Sequence, residues 1–359
     1  MSRRQRRILV VRPDRIGDVT LATPVIRALR EHFPQAYLAA LVRPATEPVL
    51  RHNPHLDAIL IDDMHGAHAG RAGFRDRLRM LRAQRFDTAL MLLPSERHAW
   101  MTFLAGIRTR VGVGTKLYQM LTFTRTVSRN KYIPLRHEAD YCMDLARAIG
   151  VASDDLALEI VATDRDRAAA RAVLAAAGRR EGAPLVTLHP ENGGSAPNWD
   201  SAEYVALARL LRLAHPEVDV SVMIAPSNHA LRAEFAALAA EGVLLPDEGS
   251  VAGLPEGMHV DGLRVVIGLI AESTVTVSSS TGPMHLAAGL AVPTVNLFCP
   301  LTACSPTLWG PMGNRSELLL PEEGYCATQC PGDPHVCTYA GGGIRVGDVA
   351  AAVGRMLGV

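Results

Sequence analysis

Short apolar runs alternate with segments of helical periodicity along this chain. Continuous apolar runs of this length are typical of strands buried in a parallel sheet. The predicted strands lie at residues 8–11, 37–42, 58–61, 88–93, 185–189, 218–225, 274–279 and 294–298. The predicted helices lie at residues 19–32, 71–85, 138–150, 202–213, 228–240, 262–270 and from 283 onward. This alternation predicts an α/β protein whose parallel sheets are covered by helices.

The alternating series is interrupted between residues 151 and 184, where an Ala/Arg-rich helix leads into a segment with little apolar content. A chain of 359 residues is also long for a single core. We therefore predict two doubly wound halves with a junction near residue 160. The predicted domains are residues 1–160 and 161–342, followed by a C-terminal helix within 343–359.

Residues 274–289 carry the pattern of a strand, a tight loop and a helix. Pro283 suits the first helical turn, because its missing N–H would have no partner there. The hydroxyls of Ser280 and Thr281 stand beside free backbone amides and the positive end of a helix dipole. The stretch predicts an anion site, with phosphate as the expected anion. An ordinary strand-to-helix corner is the alternative.

A second glycine-containing loop, residues 189–195, follows a predicted buried strand. Gly193 and Gly194 let backbone amides approach a ligand closely, and Ser195 can donate a hydroxyl hydrogen bond. The loop lacks the lysine of a P-loop and the spacing of a dinucleotide fingerprint. Ligands of open α/β sheets bind beyond the carboxyl ends of the strands. We therefore expect this loop and residues 278–283 to form two sides of a diphosphate pocket.

Three single residues have both a structural and a chemical interpretation. Asp18 either caps the first helix or serves as a general base on the floor of a cleft. His285 either contacts a phosphate oxygen or packs in the core. Trp199 either packs beneath the neighbouring loop or stacks on a base, and packing is expected. The residues alone favour the cap for Asp18 and leave His285 open.

Composition and charge narrow the class of protein. An apolar content of 48% with 20% charged residues is that of a soluble globular protein. A formal net charge of +1 argues against generic nucleic-acid binding. No apolar run is long enough to span a bilayer, and the basic start of the chain lacks the apolar region of a signal peptide. These features predict a cytoplasmic protein.

Residues 71–85 form an arginine-rich predicted helix. Phe74, Leu78 and Leu81 fall at helical spacing and are flanked by arginines. Such a helix either lies on an anionic membrane surface or turns its apolar stripe to the core and its charges to water. The second interpretation is favoured.

Three cysteines, Cys326, Cys330 and Cys337, lie in a Gly/Pro-containing segment near the C-terminus. Their spacing matches none of the usual zinc or redox motifs. His335 is a candidate fourth ligand, but free thiols in a cytosolic loop are favoured. We therefore predict no metal site.

Three segments of the chain carry a resemblance to a known family: ILVVRPDRIGDVTLATPVIRALR, LVTLHPENGGSAPNWDSAEYVALARLL and VSSSTGPMHLAAGLAVPTVNLFCP. They resemble the signature regions of glycosyltransferase family 9, the ADP-heptose:lipopolysaccharide heptosyltransferases. RHEADYCMDLARAIGV and the cysteine-bearing tail also resemble family members, so the likeness covers essentially the whole chain.

The resemblance implies a GT-B fold, with two facing Rossmann-like domains and a C-terminal helix that returns to the N-terminal domain. It implies an inverting, metal-independent transfer of a sugar, with heptose expected, and no cofactor. The implied partners are an ADP-sugar donor and a lipopolysaccharide-core or other lipid-linked acceptor, with peripheral contact with the inner membrane and no nucleic acid.

The resemblance also implies roles for single residues. Asp18 matches the catalytic base. The donor-binding residues implied by the motifs and loops are His189, Asn192, Gly193, Gly194, Ser195, Ser280, Thr281, Gly282 and His285. The acceptor-binding candidates are Arg12, Arg15, Ser95 and Arg97, and loops around 95–100 and 108–118 are expected to contact the acceptor.

Two positions depart from the family pattern. Pro197 stands where a lysine is common, and Ser280 stands where many members have an aspartate. Two alternatives to sugar transfer therefore stay open. One is a catalytically weakened nucleotide-sugar-binding protein, and the other is a sugar-nucleotide epimerase of the same fold.

Overall fold

The computed structural model describes residues 5–129, 133–194, 196–247 and 262–359. The chain divides into two compact units, Met1–Val161 and Ala162–Val359. Each unit contains its own parallel sheet and its own apolar core.

The first unit follows the predicted alternation. Its strands are β1 (Arg7–Val11), β2 (Tyr37–Val42), β3 (Ala58–Ile61), β4 (Thr88–Met91), β5 (Thr109–Val113) and β6 (Arg125–Val127). Its helices are α1 (Ile16–Thr20), α2 (Thr23–His32), α3 (Glu47–Leu50), α4 (Gly70–Gln84), α5 (Glu96–Leu104), α6 (Leu117–Leu121) and α7 (Glu138–Arg147), with a 3₁₀ turn at Pro44–Thr46. Within the described residues the strands lie in the parallel order β3-β2-β1-β4-β5-β6.

The second unit repeats the architecture. Its strands are β7 (Leu185–His189), β8 (Asp219–Val222), β9 (Val275–Ser279), β10 (Thr294–Leu297) and β11 (Ser316–Leu319). Its helices are α8 (Asp164–Ala176), α9 (Ser201–Ala214), α10 (His229–Phe235), α11 (Gly262–Ala271), α12 (Gly282–Gly289), α13 (Pro306–Trp309), α14 (Tyr325–Thr328) and α15 (Val346–Leu357), with 3₁₀ turns at Ala236–Glu241 and Thr302–Cys304. The described strands lie in the parallel order β11-β10-β9-β7-β8.

Strand order reverses once in each sheet, between β1 and β4 in the first and between β7 and β9 in the second. In doubly wound sheets the crevice for a ligand opens at such a switch point, beyond the carboxyl ends of the strands. The loops that follow these four strands are therefore the positions where the fold favours binding.

The helix predicted over residues 19–32 is observed as two helices, α1 and α2. Pro24 explains the break, because proline lacks the N–H that would bond four residues back and its ring would clash with that carbonyl. The carbonyl of Thr20 instead accepts a 2.7 Å hydrogen bond from the hydroxyl of Thr23.

The C-terminal helix belongs to the second compact unit, and its return to the first unit stays a prediction. Helix α15 packs against α9, β9 and β10 of its own unit. Val349, Ala352 and Val353 are fully buried in the core of the second unit. Their spacing gives the helix one apolar stripe, and the second sheet covers that stripe.

The arginine-rich helix α4 turns its apolar stripe inward. Leu81 is buried, and Phe74 and Leu78 pack against the core that contains Leu9 and Ala89. The structure thus supports the interpretation in which this helix turns its apolar stripe to the core and its charges to water. Among the helices of the described ranges, none is both long and apolar enough to cross a bilayer.

Candidate active site

The loop after β1 carries a buried arginine surrounded by carboxylates. Arg12 is 2% exposed. Its Nη2 lies 2.6 Å from Asp18 Oδ1 and 3.3 Å from Glu138 Oε1, and its Nε lies 3.6 Å from Asp14 Oδ2. Its Nη1 donates to the carbonyl of Leu92 at 2.7 Å. One guanidinium therefore ties the loop after β1 to the end of β4, across the switch point.

The charges around Arg12 are densely packed. Burial raises the pKa of Glu138, although the positive charges of Arg12 and Arg129 oppose the shift. Burial and the negative charge of Asp18 raise the pKa of Asp14. Burial also raises the pKa of the Cys142 thiol to about 12, so this thiol is neutral at physiological pH.

Asp18 lies within the first turn of α1 and does not cap it. The N-cap position is Arg15, and no side chain caps this helix. The structural interpretation favoured from sequence is therefore wrong, because the carboxylate of Asp18 is directed to Arg12. The Asp18 side chain is 19% exposed, whereas Glu138 is buried.

The two acceptor-binding candidates of this loop are placed differently. Arg15 is exposed at the start of α1, and its backbone N–H donates to Asp14 Oδ1 at 3.0 Å. Arg12 is buried and engaged by carboxylates. This geometry favours a role for Arg12 in positioning Asp18 over direct contact with an acceptor.

Ser95 and Arg97 belong to the start of α5, in a buried polar network. Ser95 caps the helix, and its hydroxyl lies 2.7 Å from Nδ1 of His98. His98 Nε2 lies 3.0 Å from Asp62 Oδ2, and Arg97 donates to both oxygens of Asp62 at 2.8 and 3.0 Å. Although burial opposes ionisation, hydrogen bonds from His98 and Arg97 lower the pKa of Asp62 to about 2.

The two segments expected to be acceptor loops contain helix and strand, and their contact with an acceptor stays a prediction. Residues 95–100 begin a helix, and residues 108–118 contain strand β5 and the start of α6. The Arg97 guanidinium is paired with the buried Asp62 carboxylate, so Arg97 is held in place and its charge is locally compensated.

In the second unit, residues 275–289 form the predicted strand, loop and helix, β9 followed by α12. Thr281 is the N-cap residue in extended conformation, and its side chain makes no capping hydrogen bond. Ser280 and Thr281 lie next to the amides of the first helical turn at Gly282. His285 is buried inside α12, which favours the packed-histidine interpretation.

The loop after β7 is shaped by its own side chains. Asn192 Oδ1 accepts from the N–H of Gly194, and Asn192 Nδ2 donates to the carbonyl of Ala196. Glu191 accepts from the N–H of Ala225 at 2.7 Å and from Asn228 Nδ2 at 2.8 Å. Asn192 thus holds the loop's own backbone, and Glu191 fixes the loop against the segment that follows β8.

Two further residues connect this loop to neighbouring segments. Trp199 is buried beneath it and donates from Nε1 to the carbonyl of Ile344 at 3.0 Å, which confirms the expected packing role. At the exposed tip, Gly194 has a φ of +69°, and its carbonyl lies 2.7 Å from His335 Nδ1. Ser195 lies outside the described residues.

His189, at the end of β7, is a neutral group. Burial lowers its pKa to about 4, although the charge of Glu191 opposes the shift. Its Nδ1 is buried and has no hydrogen-bond partner within the described ranges. At neutral pH this imidazole therefore carries no positive charge.

Comparison with known proteins identifies the family. The sequence profile of glycosyltransferase family 9 (heptosyltransferase) matches residues 75–331. The chain belongs to glycosyltransferase family 9. Lipopolysaccharide heptosyltransferase 2 of Salmonella typhimurium is 26% identical over 329 residues, which cover 89% of this chain and 89% of the relative. The enzyme is accordingly a glycosyltransferase.

Solved structures agree with the fold. A family 9 glycosyltransferase of Veillonella parvula superimposes with a TM-score of 0.80 at 19% identity, covering 98% of this chain and 97% of the other. The ADP-heptose heptosyltransferase II of Escherichia coli gives 0.74 at 19% identity, covering 98% of both chains. The expected GT-B class, built from two Rossmann-like α/β units, is confirmed.

The cysteines of this glycosyltransferase are free thiols. Cys330 Sγ lies 3.9 Å from Cys337 Sγ, and burial raises the pKa of Cys337 and of Cys326. His335 contacts the carbonyl of Gly194. Over the described part of the chain, no three metal-binding side chains are arranged to hold an ion.

Sequence reasoning missed several members of the site. Glu138 was present in a segment that resembles the family, but nothing in its local pattern links it to Arg12, 126 positions away. Asp62 and His98 are equally unmarked, because they meet only when β3 and β4 lie in one sheet. Arg43, whose guanidinium donates to the carbonyl of Asp14 at 2.7 Å, was missed for the same reason.

Proposed function

We propose that this glycosyltransferase moves heptose from an ADP-sugar to a hydroxyl of a lipopolysaccharide-core acceptor, with inversion and without a metal ion. The reaction takes place at the cytoplasmic face of the inner membrane. Two findings support the choice of sugar: the Salmonella relative is a lipopolysaccharide heptosyltransferase, and an E. coli heptosyltransferase of TM-score 0.66 has been solved with ADP-2-deoxy-2-fluoro heptose.

The geometry of Asp18 is the observation that carries the proposal. Its carboxylate is partly exposed at the carboxyl end of β1, and the buried guanidinium of Arg12 holds it at 2.6 Å. A base must keep a fixed orientation to take a proton from an attacking hydroxyl. Arg12 supplies that orientation, and the surrounding carboxylates limit the positive charge near the base.

The reaction balances with this residue as the base. The hydroxyl oxygen of the acceptor bonds to the anomeric carbon while Asp18 accepts the hydroxyl proton. The bond from the anomeric carbon to the ADP oxygen breaks on the opposite face. Backbone amides at the start of α12, with the hydroxyls of Ser280 and Thr281, stabilise the negative charge on the departing diphosphate. His189, being neutral, contributes hydrogen bonds only.

The test compares two neighbouring carboxylates. Asp18→Asn should lower turnover of ADP-heptose by roughly 10²–10⁴-fold, the usual contribution of a general base, with little change in ADP affinity. Asp14→Asn is the matched control, since Asp14 lies in the same loop at 3.6 Å from Arg12, and this variant should keep most of the turnover. Heptosylated core product and the ADP dissociation constant are measured for both.

Three results would contradict the proposal. Full turnover by Asp18→Asn removes Asp18 as the base. Tight donor binding by the wild type without transfer to any heptose-core acceptor indicates a binding protein. A changed sugar nucleotide formed without acceptor indicates an epimerase.

A thermal-shift screen over ADP-, GDP- and UDP-sugars identifies the nucleotide, because ligand binding to the native state raises the melting temperature.

A further inference from the structure

Helix α6 has its polar side chain inside and its apolar side chains outside. Gln119 is buried, donates from Nε2 to the carbonyl of Val113 at 2.9 Å, and accepts at Oε1 from the N–H of Lys116 at 2.8 Å. Leu117, Met120 and Leu121 share one face of the helix, at positions i, i+3 and i+4, and each is exposed. A surface helix normally turns its apolar stripe to the core, so α6 is inverted.

The exposed apolar surface continues on both sides of the helix. Phe123 is exposed, and its ring centroid lies 6.1 Å from that of Phe103 in α5. Leu104, the next residue along α5, is exposed as well. We call the set the α6 patch: Leu104, Leu117, Met120, Leu121 and Phe123. Single exposed apolar residues are ordinary, but a group of neighbouring ones marks an interaction surface.

Buried polar contacts anchor the α6 patch. Gln119 fixes the helix from inside. The guanidinium of Arg110, buried beneath it, donates to the carbonyls of Thr122 and Phe123 at 2.8 and 3.3 Å and lies 5.3 Å from the Phe103 ring. The patch is therefore held in its outward orientation by buried polar contacts, and little conformational entropy is lost when a partner covers it.

Basic residues lie beside the patch. Lys116 and Arg108 are exposed next to it. A groove lined by Arg82, Arg85 and Arg108, together with Asp87, adjoins it, and Arg82 donates to the carbonyl of Leu104 at 3.0 and 3.1 Å. Arg97, Arg129 and Arg136, which are close in sequence, are instead paired with carboxylates.

This combination fits an anionic lipid surface. Apolar side chains on a basic face enter the boundary between headgroups and acyl chains, while lysine and arginine meet lipid phosphates. A second copy of the same surface would instead bring like charges together, which disfavours association. We propose that the α6 patch is the surface by which the enzyme docks on an anionic phospholipid membrane. The inference rests on the proposed function, in which the acceptor is anchored in lipid.

The experiment measures binding of the full chain to vesicles of phosphatidylcholine with or without one quarter phosphatidylglycerol. We expect binding to the anionic vesicles only, and weaker binding at 500 mM than at 100 mM NaCl, because salt screens surface charge. The variant Met120→Ser/Leu121→Ser/Phe123→Ser should bind anionic vesicles at least tenfold more weakly. These side chains are exposed, so its melting temperature should match the wild type.

A matched triple variant serves as the control. Leu213, Leu301 and Val336 are exposed residues of the second unit, and their replacement by serine should leave vesicle binding unchanged. Replacing Lys116 and Arg108 by glutamine should weaken binding by about fivefold per residue, since one basic residue near such a surface contributes about 1 kcal/mol.

Two outcomes overturn the inference. Equal vesicle binding by the patch variant and its control removes the α6 patch as the docking surface. A wild-type dimer that the patch variant converts to a monomer, without vesicle binding by either, assigns the patch to a second copy.

Failure of the proposed function is distinguishable. With a lipid-free core oligosaccharide the patch variant should keep the wild-type transfer rate, while transfer to a vesicle-embedded acceptor should fall. Patch-dependent vesicle binding by a wild type that transfers no sugar would refute the proposed function and leave the docking surface in place.

Discussion

At the scale of single residues, charge burial determines the candidate site. Arg12 and Glu138 are both almost fully removed from solvent, and a buried charge is tolerated only when paired and hydrogen-bonded. Arg12 satisfies this condition through Asp18, Glu138 and the carbonyl of Leu92. The same contacts that make the arginine tolerable inside the unit also orient the proposed base.

Removing this guanidinium should be costly. Arg12→Met removes one of the two arginines that pair with the buried Glu138, the other being Arg129. We expect the free energy of unfolding to fall by about 3 kcal/mol, the lower end of the usual cost of a broken buried pair. Urea denaturation measures the change. Arg209→Met is the control, because Arg209 forms an exposed pair with Glu241 and should show no measurable effect. Equal losses in both variants would mean that the buried network adds nothing.

Asp62 should make stability depend on acid pH. Its pKa is about 2 in the folded state against an ordinary value of 3.8. A depressed carboxyl pKa contributes stability that is present above 3.8 and is lost as the pH falls from 3.8 toward 2. The full contribution is about 2 kcal/mol. The difference in unfolding free energy between wild type and Asp62→Asn should therefore shrink between pH 5 and pH 3.

The control for Asp62 is a surface carboxylate. Asp76 is exposed at the surface and pairs with Arg77, so solvent screens the interaction. Asp76→Asn should therefore change the acid dependence much less. An Asp62→Asn profile parallel to the wild type would show that the network around His98 does not stabilise the ionised carboxylate.

At the scale of elements, apolar runs predicted most of both sheets. Strands β2, β3 and β7 begin and end where expected, because apolar residues dominate each of them. Strands β2 and β7 are mostly buried, whereas β3 is partly buried. Strand β5 was missed because Arg110 and Gly112 interrupt its apolar pattern. Helix α6 was missed because its apolar residues face outward, opposite to the pattern that identifies a surface helix.

The site itself was only half predictable. Local sequence signals mark the two loops proposed to bind the donor, which contain glycines and hydroxyls. Asp18 is marked by its place at the start of a helix. Glu138 and Asp62 act through contacts made across the fold, and no sequence pattern announces a contact between β3 and α5. Pairing over such distances depends on sheet order, which the alternation of elements does not specify.

The glycine pair of the β7 loop offers a test at this scale. Gly194 has a φ of +69°, a conformation in which an L side chain is strained. Gly193 has no such positive φ. Among the described residues, no atom beyond the chain neighbours lies within 4 Å of a Cβ added at either position. Gly194→Ala should therefore raise the free energy of this loop conformation by about 1–2 kcal/mol and weaken ADP binding roughly five- to thirtyfold. Gly193→Ala should bind ADP like the wild type. Calorimetric titration with ADP compares the two, and equal affinities would exclude this loop from the donor site.

At the scale of the whole molecule, the two units divide the proposed chemistry. The first holds the base and the basic, apolar α6 patch, and the second holds the loops proposed to bind the diphosphate. Each unit has a separate core, and α15 belongs to the second unit. Pro197 and Ser280, which depart from the family pattern, both lie in the second unit. These two departures should therefore change donor affinity only through contacts made by the second unit.

Hydrogen exchange with and without ADP tests this division. A ligand that binds only the native donor loops lowers the population of their opened states, so their amides exchange more slowly. We expect ADP to slow exchange between β7 and α9 and at the start of α12, and to leave the amides around Arg12 and Asp18 unchanged. Gly194→Ala should reduce the protection at a fixed ADP concentration, whereas Asp18→Asn should preserve it. Protection centred on the first unit would place the nucleotide beside Asp18 and would reverse the assignment of donor and acceptor to the two units.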